Sequence, residues 1–140
     1  MKYSVVYFSR TGISRRAAEK IAKNLGCELV QITDDQNWNG WPGFIKGGFY
    51  ATINKTVKIT LHGSLDDAGE YIVVAPLWAG GLAPAARAFL KTVPAEKVHL
   101  VVTSDGSQVK DRSGFKSVSD VINSNDDEDA VINCLVESLA

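Results

Sequence analysis

The stretch VVYFSRTGISRRAAEKIA, residues 5–22, changes character twice. Val5 to Phe8 is apolar, β-branched and aromatic, and with Tyr3 and Ser4 it reads as a short buried strand, Tyr3 to Phe8. Ser9-Arg10-Thr11-Gly12 then breaks the run with hydroxyls and a glycine. Ile13, Ala17, Ile21 and Leu25 recur every four residues, so 13–25 reads as an amphipathic helix that stops at Gly26. Strand, polar turn and helix in immediate succession are the opening of a parallel βαβ unit. Arg15 and Arg16 are out of place in it, because cations at a helix start face the positive end of the dipole, at a cost of about 0.3–1 kcal/mol each. A bound anion would reverse that sign; solvated surface charge is the alternative.

The same alternation continues along the chain. Glu28 to Ile32, Tyr71 to Ala75 and Val98 to Thr103 read as further short strands. Between the second and third lie a polar turn holding Trp38 and Trp41, a helical stripe over residues 44–53, and a connector with an extended piece at Val57 to Leu61. A helix is expected near Ala83 to Lys91, where Pro84 suits the first turn. The acidic run Asp126 to Asp129 opens a last helix with Val131, Leu135 and Leu139 on one face. Residues 115–123 fit a helix or an edge strand. Only about ten residues separate Asp105 from Phe115, short for a parallel crossover that carries a helix, so we expect a fifth strand with the connecting helix reduced or absent. Short apolar strands alternating with helices imply a parallel sheet covered on both faces.

Composition sets the outer limits. A chain of 140 residues, 45% hydrophobic, suits one domain over residues 1–140. A formal net charge of -1 gives no reason to expect nucleic acid or an anionic membrane as partner. The N-terminus enters a strand-like run without the long apolar segment of a signal peptide, which leads us to expect a reduced, cytoplasmic setting. Cys27 and Cys134 sit in periodic apolar segments and read as buried thiols. His62 and His99 have no ligand-spaced partners, so no metal site is expected.

In a sheet of this kind ligands bind beyond the carboxyl ends of the strands, where strand order reverses. Three loops leave such ends. Ser9-Arg10-Thr11-Gly12-Ile13-Ser14 offers hydroxyls and successive N–H groups at a helix start, which together form a phosphate nest. It is neither a Walker loop nor a GxGxxG turn. Pro76-Leu77-Trp78-Ala79-Gly80 puts an indole on a glycine-rich turn, a stacking face for a planar ring. Ser104-Asp105-Gly106 offers donors and acceptors to the polar edge of a heterocycle. No side chain reads as a catalytic acid, base or nucleophile.

In this order and spacing the three loops resemble those of the flavodoxin family, over nearly the whole chain. The first is similar to the family's S/T-x-T-G-x-T phosphate loop, APLWAGGLAPAARAFL (residues 75–90) to the second flavin loop with its helix, and VVTSDGS (residues 101–107) to the third. The resemblance implies a three-layer α/β sandwich with a five-stranded parallel sheet in order 2-1-3-4-5 and a non-covalent FMN. Ser9 to Ser14 would hold the phosphate, Pro76 to Gly80 would line the ring with Trp78 stacking on it, and Ser104 to Gly106 would meet the pyrimidine edge. Function would be electron transfer, either as a carrier served by a redox partner protein or as an NAD(P)H-dependent reductase of quinones or other acceptors. A flavodoxin-fold module that has lost FMN and binds another phosphorylated ligand or a protein is the alternative.

This chain also departs from the pattern. Arg10 charges a loop that is usually neutral. No second aromatic follows the third loop until Phe115, which leaves Trp38 or Trp41 to cover the flavin or to cap the sheet edge. Ala79 stands where glycine often follows the stacking tryptophan, which predicts a weakly stabilised one-electron-reduced flavin.

Overall fold

A computed structural model describes residues 2–35, 57–65, 68–78, 81–106, 108 and 112–139. The described elements are β1 (Tyr3–Tyr7), α1 (Ile13–Leu25), β2 (Glu28–Asp34), β3 (Ile59–His62), β4 (Glu70–Trp78), β5 (Gly81–Leu82), α2 (Pro84–Leu90), β6 (Val98–Ser104), β7 (Ser117–Ile122) and α3 (Glu128–Leu139). Residues 36–56, with Trp38, Trp41 and the expected stripe over 44–53, lie outside the described residues.

Five strands run parallel in the order β2-β1-β4-β6-β7, which is the expected 2-1-3-4-5. The sheet is larger than five strands. β3 pairs antiparallel with the outer edge of β2, Ile32 opposite Leu61, where the sequence suggested only an extended piece. β5 folds back antiparallel on the end of β4, Leu77 opposite Leu82 and Trp78 opposite Gly81. Segment 115–123 resolves as strand: Ser117–Ile122 pairs in parallel with His99–Ser104, and none of the described residues between Ser104 and Ser117 is helical.

Alternation along each strand builds two cores, one per face. Val5 and Tyr7, Ile72 and Val74, Val101 and Val121 point to one side, where Ala17, Ala18, Ile21 and Ala22 of α1 and Ile132 and Leu135 of α3 cover them. Val6 and Phe8, Val30 and Ile32, Val73 and Ala75, Leu100 and Val102 point to the other, beneath Ala85, Ala86 and Phe89 of α2. The small residues of α1 let it lie close over β1 and β4 and reach β6. The result is a three-layer sandwich. No helix among the described residues is long and apolar enough to cross a membrane.

One expected burial fails. Cys134 is exposed, because the inward face of α3 is set by Ile132 and Leu135 and residue 134 points away from it. Cys27 is half-buried, and burial pushes its thiol pKa up.

Candidate functional site

The strand order reverses between β1 and β4: from β1 the chain first moves outward to β2 and β3, then returns to the other side of β1. In open sheets of this kind ligands bind beside such a switch, outside the carboxyl ends of the strands that flank it, here β1 and β4. Two side-chain contacts draw the three expected loops together there. Phe8, the last residue before the first loop, meets Trp78 edge-to-face at 5.9 Å with the planes at 73°. Ser14, in the first turn of α1, meets Thr103 at the end of β6, Oγ to Oγ1 2.7 Å.

The first loop is a tight turn into α1. Gly12 is its N-cap, in the left-handed conformation with φ 95°. A side chain there would be strained, and beyond the backbone lies open space, with nothing within 4 Å of where a Cβ would stand. Gly12 donates its N–H to Ser9 Oγ at 2.9 Å, which leaves the Ser9 proton for another acceptor. The first helical bond runs from Arg16 N to Gly12 O, so the N–H groups of Ile13, Ser14 and Arg15 have no helical acceptor. No side chain caps them, and the first turn holds no acid. Thr11 is exposed, Ser9, Arg10 and Ile13 are half-buried, and Ser14 is buried. Donors thus outnumber acceptors at this end of α1.

Arg15 and Arg16, however, are matched by protein acids. Arg15 pairs with Glu19 one turn on, at 2.8 Å. Arg16 and Lys20 converge on Glu128 at the start of α3, at 2.9 and 2.5 Å, and Lys20 also reaches Asp129 at 2.8 Å. Burial works to raise the Glu128 pKa, but the hydrogen bonds from Arg16 and Lys20 outweigh it and hold the carboxyl below its ordinary value. The same contacts hold Arg16 above its own. Of the two misplaced cations, Arg16 therefore clamps α1 to α3 together with Lys20, while Arg15 is paired within α1, and a ligand anion is not needed to explain either.

The second expected loop begins inside β4: the strand runs past Ala75, because Pro76 pairs with Thr103 and Leu77 and Trp78 pair with β5, so these three residues are strand and not turn. Pro76 lies beyond the end of β1, where the final backbone bond is Phe8 N to Val74 O, so its missing N–H costs the sheet nothing on that side. Its carbonyl accepts from Ala83 N at 3.1 Å and so fixes the chain as it enters α2. Pro76, Leu77 and Trp78 are half-buried, and Trp78 leans on the core beneath α2. Ala79 and Gly80 lie outside the described residues. In the third loop Ser104 is half-buried, while Asp105 and Gly106 are exposed. Asp105 is a brace: its carbonyl accepts from Ser124 N at 3.0 Å, which ties the loop to the turn after β7.

Sequence reading placed these loops but missed their couplings. Thr103 was legible only as part of a strand, although a hydroxyl within an apolar run on the α1 side of the sheet was a signal. Glu128 was legible as a helix-start acid and not as the partner of Arg16. A further buried polar group lies at the opposite, amino edge of the sheet. His99 donates from Nε2 to Glu70 Oε1 at 2.8 Å, and its Nδ1 shares a hydrogen bond of 2.8 Å with Ser117 Oγ. The proton on Nε2 follows from the ionised Glu70, which can only accept. Lys116 pairs with the other Glu70 oxygen. Burial works to raise the Glu70 pKa, but the bonds from Lys116 and His99 outweigh it and lower it. Among the described residues no three His, Cys, Asp or Glu side chains are grouped to hold a metal ion.

No protein-family model and no curated protein matches the chain. Solved structures do. A candidate flavoprotein of Bacteroides eggerthii superposes with a TM-score of 0.71 at 19% identity, covering 98% of this chain and 96% of that one. One from Bacteroides uniformis gives 0.68 at 17% identity, covering 96% and 97%. A flavoprotein of Lactobacillus acidophilus, crystallised in complex with FMN, gives 0.64 at 16% identity, covering 93% and 97%. With the strand order β2-β1-β4-β6-β7 and helices on both faces, these matches show that the chain has the flavodoxin-like fold.

Proposed function

We propose that this protein binds FMN non-covalently at the carboxyl edge of the sheet and passes electrons through it. The observation that carries the reading is the donor-rich, acid-free turn at the start of α1, set at the switch point beside Trp78 and Ser104. The chemistry of the three loops fits the three parts of FMN. The dianionic phosphate suits the Ser9 and Thr11 hydroxyls and the N–H groups of Ile13, Ser14 and Arg15, with Gly12 leaving room for close approach. The planar ring suits Trp78, flanked by Pro76, Leu77, Ala79 and Gly80, and its pyrimidine edge suits the backbone of Ser104, Asp105 and Gly106. Arg10 adds a positive charge to the phosphate end. When bound, the flavin supplies the electron or hydride transfer. This chain's residues bind it, orient it, and keep water from one ring face. The FMN carried by the Lactobacillus acidophilus flavoprotein supports the choice of flavin.

The test is direct. Purified protein should carry flavin absorbance, or regain it on titration with FMN, with riboflavin binding more weakly. Absence of binding at micromolar FMN would overturn the reading in favour of a flavodoxin-fold module for another ligand. Steady NADPH oxidation by the loaded protein alone would identify a reductase; its absence, with reduction by an added reductase, would identify a carrier.

A further inference from the structure

Ser14 and Thr103 are buried, at 2% and 3% exposure, and share one hydrogen bond of 2.7 Å between their hydroxyls. Two hydroxyls bring two protons, and the bond uses one. Neither side chain has a second protein acceptor among the described residues. A hydroxyl proton buried without an acceptor is destabilising. Where that proton sits depends on which residue donates. If Ser14 donates, the spare proton is on Thr103, inside the sheet between the registers of Pro76 and Val121. If Thr103 donates, the spare proton is on Ser14, in the turn where the N–H groups of Ile13, Ser14 and Arg15 also lack helical acceptors.

We infer that Thr103 is a positioning residue: it donates to Ser14 and so commits the Ser14 proton to the phosphate of the bound flavin. This rests on the FMN reading above. An anion at the α1 turn relieves the unpaired proton only in this arrangement, so the pair adds a charge-assisted donor to the nest and favours phosphorylated flavin over unphosphorylated flavin. Because Ser104 follows Thr103, the same bond sets the ring-edge loop relative to the phosphate loop.

The test compares FMN with riboflavin by flavin fluorescence titration, on wild type, Thr103→Val, Thr103→Ser and Ser14→Ala, with thermal melts confirming folded protein. Thr103→Val should weaken FMN about tenfold and leave riboflavin within about twofold, since only one charge-assisted bond is altered. Thr103→Ser should restore FMN binding, and Thr103→Val should add nothing in a Ser14→Ala background. Equal weakening of both flavins by Thr103→Val would make the bond merely structural and overturn the inference; so would unchanged FMN affinity, or failure of Thr103→Ser to restore it. A wild type that binds neither flavin, or both alike, instead overturns the phosphate assignment itself, and the inference falls with it.

Discussion

Replacing Glu70 with glutamine tests the polar cluster at the amino edge of the sheet. Glu70 is 4% exposed and accepts from His99 Nε2 at 2.8 Å and from Lys116. Hydrogen bonds to a charged group are worth about 1.5–3 kcal/mol each. The Lys116 side chain is 49% exposed and regains water when released, so its share falls to the surface-pair range, about 0–1 kcal/mol. His99, 4% exposed, has no such recourse. Glu70→Gln keeps a carbonyl oxygen for His99 but removes the charge, which gives a loss of about 2 kcal/mol at neutral pH. The pH dependence fixes the cause. The folded-state pKa of Glu70 is depressed, so its contribution is fully present above the unfolded value of about 4.3 and is lost as pH falls through the folded value. In urea unfolding the gap between wild type and Glu70→Gln should therefore be constant down to about pH 5 and shrink below about pH 4. A gap under about 0.5 kcal/mol at neutral pH, or one that widens on acidification, would refute the reasoning.

Other perturbations probe separate parts of the account. At Gly63 (φ 151°) an added Cβ would stand 2.9 Å from Cγ2 of Val30, which is 1% exposed, so Gly63→Ala should cost about 1–3 kcal/mol and lower Tm by about 3–10 °C in a calorimetric scan. Glu128→Ala removes the acid shared by Arg16 and Lys20; Arg16 is left near the positive end of α1 without a partner acid, while Lys20 keeps Asp129. A loss of about 1 kcal/mol at low salt, fading near 1 M salt, is expected from urea melts; a salt-independent loss would mean packing rather than charge. With Ala79 where the flavodoxin pattern often has glycine, anaerobic photoreduction should accumulate little of the one-electron-reduced flavin, and Ala79→Gly should raise that fraction.

How far the sequence could be read follows from where the determining forces act. Strands with a local apolar signature were legible, and α1 and its stop at Gly26 matched to the residue, because period and glycine conformation are local properties. β3 was nearly invisible: its four residues gain their role by pairing with β2, and Leu61 remains 37% exposed. The ten-residue gap before Phe115 announced a crossover with little room for a helix, and none of the described residues between Ser104 and Ser117 is helical. In the candidate site, the place of the first and third loops at the carboxyl ends of their strands was legible from local composition, but the contacts between loops were not. Ser14 and Thr103 are 89 residues apart, and Arg16 and Glu128 are 112 apart. Only the fold brings them together, and it turned Arg16 from a candidate anion ligand into a tie between helices.

The most direct measurement is an amide NMR titration of labelled protein with FMN. The account predicts saturable shifts at Gly12, Ile13, Ser14 and Arg15, at the Trp78 indole, and at Ser104, Asp105 and Gly106, with Glu70, His99 and Ser117 at the far edge unmoved. Shifts centred on that far edge, or no saturable shifts at all, would contradict it.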